Sequence, residues 1–159
     1  KAAGFIFPSA LLIYFHMKYL HLSQTNLNGI TLFPKIPQNF FTKLGCEDST
    51  IPRISVAPTI DNCILGIGYN RIKEGNKKFY VHEPQNYNSI KIINNDELIK
   101  KKLTPDANVT KESWIISPCR FKCIGYIEIG KPKHKYKTVY FNNKEIAKQY
   151  YWNYRYTPI

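Results

Sequence analysis

Apolar and polar positions alternate over Lys18–Leu22 (KYLHL), placing Tyr19 and His21 on one side and Leu20 and Leu22 on the other, which predicts a short strand. Ser23–Thr50 loses that order. It is rich in Asn, Pro, Gly and Thr, with a brief extended piece at Ile30–Phe33, and a long irregular connection of this kind is usually functional. Arg53–Ala57 (RISVA) predicts a second strand, entered after Pro52 and left through Pro58. The period then changes. Thr59 caps a helix in which Ile60, Cys63, Ile64 and Ile67 follow the i, i+3, i+4, i+7 rule, and Gly68 closes it.

Lys77–His82 (KKFYVH) predicts a third strand, with Phe79 and Val81 facing opposite Tyr80 and His82. Asn86–Thr110 is polar, with a one- or two-turn helix at Asp96–Lys102 capped by Asn95. Ser113–Ser117 and Cys119–Ile129 read as strands split at Pro118. Lys137–Phe141 reads as a further strand, and Asn143–Tyr151 as a short C-terminal helix with Ile146, Tyr150 and Tyr154 at helical spacing. Strands dominate, with one early and one C-terminal helix, no internal repeat and no linker. The expected fold class is α+β, in one domain spanning residues 17–159.

Composition adds limits to that picture. A chain of 159 residues, 43% hydrophobic and 21% charged, has enough apolar material for a packed core. The four cysteines, Cys46, Cys63, Cys119 and Cys123, form no CxxC pair and accompany no matching histidine run, so neither a zinc site nor a secreted disulfide scaffold is expected. On a strand, Cys119 and Cys123 share a face with Phe121, and buried reduced thiols in a cytoplasmic protein are the reading adopted. Residues 1–16 (KAAGFIFPSALLIYFH) are apolar, broken by Pro8, and too short for a membrane span of about 20 apolar residues. The His16-Met17 junction resembles a cloning scar before an initiator methionine, so this segment is expected to be foreign, with a signal peptide as the alternative. The formal net charge of +12 favours acidic partners: nucleotide phosphates, nucleic acid or an anionic surface.

Several kinds of chemistry are absent from the sequence. Gly66-Ile67-Gly68 ends a helix instead of opening one, so it is no dinucleotide fingerprint, and neither a GxSxG elbow nor an HExxH motif occurs. Of the histidines, His134 sits in a lysine run (KPKHKYK) and is expected in solvent, while His82 at a strand end is expected to be partly buried and hydrogen-bonded. His21 stands on the first strand just before the long polar loop. From there a neutral ring can direct an N–H at a ligand hydroxyl.

In order and spacing, the segments from about Lys18 to Ile129 resemble the small bacterial ADP-ribosyltransferases that modify rifamycins, relatives of the diphtheria-toxin group. The residues that carry the likeness are Tyr19-Leu20-His21, Thr31-Leu32-Phe33-Pro34 with Asn39-Phe40 beyond, and Ile54-Ser55-Val56 running into the helix at Thr59. Phe79-Tyr80-Val81-His82-Glu83-Pro84, Ser113-Trp114 and Cys123-Ile124-Gly125-Tyr126-Ile127 follow. The resemblance implies two small packed, antiparallel-rich sheets forming a cleft that holds NAD as substrate. His21 would meet ribose hydroxyls, and Ser23 with the backbone beyond it would meet nicotinamide. The chain departs from the pattern twice. Ile54 or Ser55 occupies the second-strand position where the family stacks an aromatic ring on nicotinamide, so Ser55 joins the cofactor-facing set. The catalytic acid should follow the Val-His-Glu-Pro strand closely, yet Gln85–Ile93 contains none, and Glu83 matches a structural glutamate of the family. Asp96, Glu97, Asp106 and Glu112 remain, and Glu112, directly before a strand and Trp114, is the first choice as catalytic residue.

From about residue 130 the chain leaves the resemblance and becomes basic and aromatic. Lys131, Lys133, Lys135 and Lys137 alternate, and the end reads Tyr150-Tyr151-Trp152-Asn153-Tyr154-Arg155-Tyr156. Lysines follow phosphates and aromatic faces stack bases, so nucleic acid is a candidate partner here, with core packing as the other explanation. Three readings stand: an NAD-dependent ADP-ribosyltransferase with an unknown acceptor, a non-catalytic nucleotide- or protein-binding module on the same fold, and a nucleic-acid-binding domain. A membrane partner is not expected.

Overall fold

A computed structural model of the chain describes residues 18–159. The segment read as foreign, residues 1–16, lies outside the described residues. The described chain is mixed α/β and rich in sheet, with two antiparallel sheets and five short α-helices. In chain order the elements are β1 (His21–Ser23), β2 (Thr31–Leu32), α1 (Phe40–Lys43), β3 (Ile54–Val56), α2 (Ile60–Leu65), α3 (Tyr69–Glu74) and β4 (Lys78–Pro84). They continue with β5 (Ile92–Ile93), α4 (Asn95–Lys100), α5 (Ala107–Thr110), β6 (Ser113–Ile115), β7 (Cys119–Phe141) and β8 (Lys144–Pro158). The larger sheet runs β1-β4-β7-β2 with β8 also paired to β7, and the smaller runs β3-β6-β5.

The local chemistry explains the early elements. Thr59 accepts a hydrogen bond from the Asn62 N–H and Asp61 sits in the first turn, so α2 is capped where the sequence predicts. It ends sooner than its apolar period implies, because the chain breaks at Gly66 and restarts as α3 from Gly68. Helix α4 begins one residue earlier than expected, with Asn94 as its cap. Strand β4 does not keep its alternation. A register shift between Val81 and His82 turns both side chains inward, so His82 is fully buried where a partly buried ring was expected.

The C-terminal helix expected over Asn143–Tyr151 is not formed; Lys144–Pro158 is strand β8. The physical reason lies in Asn142 and Asn143, whose φ angles of 51° and 62° make the two-residue left-handed turn that suits a twisted hairpin. The aromatic residues that follow have strong strand preference, and cross-strand pairs such as Tyr136 with Tyr150 fix the register. The two separate strands expected at Cys119–Ile129 and Lys137–Phe141 are therefore one strand of 23 residues. In its first third Gly125 is required by close approach, since a Cβ there would lie 2.5 Å from both the Thr157 carbonyl and the Tyr156 ring.

Three apolar clusters hold these layers together. Leu20, Ile64, Ile72, Phe79, Val81 and Trp152 join α2 and α3 to the large sheet. Tyr19, Val56, Ile115 and Phe121 join the two sheets. Leu98, Ala107 and Trp114 seat α4 and α5 on the small sheet. Trp152 is 2% exposed, so β8 is part of the core and not an appendage. No helix among the described residues is long and apolar enough to cross a membrane.

Candidate functional site

A cavity of about 740 Å³, within the size range of small-molecule sites, is lined by residues of both sheets, the loop before α1, helices α2 and α3, and strand β8. His21 of β1, Ser55 of β3 and Glu112 just before β6 all face it. Three residues singled out on separate segments are thus brought together. Ser55 reaches the cavity because β3 alternates, burying Ile54 and Val56 and leaving the serine outward. Ser23 does not join them. Its hydroxyl accepts from the Thr25 N–H in a local turn, and it is not on the cavity wall.

His21 packs its ring 5.4 Å from that of Phe121, and its Nδ1 lies 3.0 Å from the Ser55 carbonyl. A ring nitrogen at that distance from a carbonyl must carry the proton, which leaves Nε2 as an acceptor on the neutral ring. The N–H expected to reach a ligand is therefore committed to the β3 backbone. Burial lowers the ring's pKa, and the Ser55 hydrogen bond opposes that only in part. Beside it, His82 accepts from the Leu27 N–H through Nε2 at 2.9 Å. Burial, followed by the neighbouring His21, brings its pKa down to about 4.

Glu112 is half-buried on the cavity wall. Loss of water raises its carboxyl well above the usual carboxylate range, and the nearby Asp106 and Glu47 add to the rise. The Trp114 indole N–H donates to Glu112 Oε2 at 3.0 Å and works the other way. Glu47 and Asp106 complete an acidic floor. Arg53 donates to Glu47 Oε1 at 2.7 Å and lies 3.8 Å over the Trp114 ring, while Asn39 donates to Glu47 Oε2 at 2.7 Å. Asp106 accepts from Thr104 and from Gln149 of β8, each at 2.7 Å. Burial also raises Glu47, with Arg53 and Asn39 pulling it back.

Two of the other acids proposed from sequence are elsewhere. Asp96 is exposed on α4, and Glu97 there pairs with Lys101. Asp106, named only as an alternative, belongs to the floor. Glu47 and Arg53 were missed, because they stand in or beside a loop with no periodic pattern and only the fold makes them a buried pair. Two aromatic residues, Phe41 and Tyr69, line the cavity from α1 and α3. Two cations, Arg71 and Lys148, line it as exposed residues. Among the described residues no group of three or more His, Cys, Asp or Glu side chains is placed to hold a metal ion, and all four cysteines are free.

Comparison of the chain with protein-family models, with curated proteins and with solved structures finds no match.

Proposed function

We propose that the cavity binds NAD, or a nucleotide like it, and that the chain is an ADP-ribosyltransferase-like protein that breaks the glycosidic bond to nicotinamide in a cytoplasmic setting. One observation carries this reading: an acidic floor of Glu47, Asp106 and Glu112 in an otherwise basic protein, with exposed Arg71 and Lys148 lining the same cavity from α3 and β8. A ligand that is cationic at one end and phosphorylated at the other matches that division of charge, and oxidised NAD is such a molecule. The free cysteines suit a reducing compartment.

The chemistry follows from the residues. His21 accepts from a ribose hydroxyl through Nε2, and Phe41 or Tyr69 supplies an aromatic face for the nicotinamide ring. Burial, with Asp106 and Glu47 beside it, holds the Glu112 carboxyl above the usual carboxylate range and so favours its protonated form. An entering cation favours its carboxylate, and the proton leaves. When the bond from ribose carbon to nicotinamide nitrogen breaks, the electron pair departs with neutral nicotinamide. The positive charge left on the ribose is stabilised by the carboxylate. The acceptor then bonds to the ribose carbon and gives its proton to Glu112.

Calorimetry and thermal shift with NAD, NADH and ADP-ribose, on wild type and His21→Ala, test the binding. NAD should stabilise the protein more than NADH, whose nicotinamide ring is neutral, and the His21 variant should weaken both. The reading fails if none of the three shifts the wild type. Nicotinamide release by wild type, lost in Glu112→Gln with NAD binding retained, identifies turnover. Binding without any release in the wild type identifies a non-catalytic nucleotide binder.

A further inference from the structure

The stretch from Gly130 to Pro158 carries seven cations against one acid, Glu145, which is half of the chain's formal net charge of +12. The fold sets most of those cations outward. Between Ile129 and Tyr136 strand β7 advances seven residues while its partner runs only four, from Tyr154 to Tyr150. The surplus residues bulge, and Lys131, Lys133 and Lys135 fall among them. Pro132, which has no N–H to give to a ladder, is tolerated there for the same reason. These three lysines and Lys137 are all exposed, and among the described residues none reaches a carboxylate.

Aromatic faces lie among them. Tyr136 is 47% and Tyr140 59% exposed, whereas Trp152 of the same ribbon is buried. Lys148 Nζ sits 4.9 Å from the Tyr136 ring centre, and Lys135 Nζ sits 4.9 Å from that of Tyr151. A lipid-facing surface would expose Trp, Phe or Leu beside its cations. Here the exposed rings are tyrosines, whose flat faces and polar tips suit bases in water. Exposed lysines that neutralise phosphates, on a narrow two-stranded ribbon that also exposes rings able to stack, are the features of single-strand binding surfaces.

We infer that the β7–β8 ribbon is a docking surface for single-stranded nucleic acid, with Lys131, Lys133, Lys135 and Lys137 on phosphates and Tyr136 and Tyr140 stacking bases. The inference stands apart from the NAD reading of the cavity. The two regions meet at Lys148, which lies on both the ribbon and the cavity wall, so a bound strand would pass the cavity.

Fluorescence anisotropy with a labelled oligothymidylate of about 20 nucleotides, taken over a salt series, tests it. Wild type should bind, with log affinity falling linearly against log salt. Replacing all four lysines by glutamine should weaken binding at least about tenfold and flatten that slope by about 3, at about 0.7 per lost phosphate contact. Lys133→Gln and Lys137→Gln taken singly should each flatten it by less than one. Tyr136→Ala with Tyr140→Ala should weaken binding about tenfold and leave the slope unchanged. Circular dichroism and melting curves check that each variant is folded. The inference is overturned if the wild type does not bind at low salt, or if the lysine variants bind like wild type. It is equally overturned if duplex DNA or phosphatidylserine vesicles bind as tightly while the tyrosine variant is unaffected.

Discussion

His21 and His82 sit opposite one another on β1 and β4 with ring centres 6.4 Å apart, and neither gains from taking up a proton. For His82 the folded pKa of about 4 lies below its ordinary value of 6.5, so the folded state holds fewer protons than the unfolded chain between those values. Stability from this group is complete above pH 6.5 and declines as pH falls towards 4, by on the order of 3 kcal/mol. Nuclear magnetic resonance titration of the imidazole should find it neutral down to about pH 4, and a midpoint near 6.5 would contradict the buried placement. The two histidines were not equally legible in the sequence. His21 could be read because a polar ring at the edge of a polar loop is chemically conspicuous. The depth of His82 comes from a register shift against β7, which no local pattern encodes.

Among the elements, the ribbon of β7 and β8 holds the lesson about period. Ile146, Tyr150 and Tyr154 satisfy a helical spacing, yet the same residues lie on a strand. The Asn142-Asn143 pair decides the matter, because two successive left-handed residues reverse the chain and leave pairing with β7 as the way to bond the backbone. Asn143→Val should therefore cost about 1–2 kcal/mol, since a β-branched residue is strained at positive φ. Denaturant unfolding would measure it, and an unchanged midpoint would show that the turn does not direct β8. By contrast α2 was readable from sequence alone, because its cap and first apolar turn are contiguous, and only its end, split at Gly66, was not.

Across the whole molecule, one cavity is closed by segments more than a hundred residues apart, from His21 to Gln149. The hydrogen bond from Gln149 to Asp106 is the polar tie between the ribbon and the acidic floor. Gln149→Ala should cost about 1–3 kcal/mol by stranding a buried carboxylate oxygen, and it should speed hydrogen exchange at the amides of residues 144–152 before the rest of the sheet. Exchange that stays uniform across the sheet would argue against such a tie. The ribbon's double position, as cavity wall and as bearer of exposed lysines at bulges, makes occupancy visible from outside. A molecule lodged within stabilises the folded ribbon over its locally unfolded forms, so it should slow cleavage by a lysine-directed protease between Lys131 and Lys137. Band intensities on a gel would then report that something has entered, whatever reaction follows.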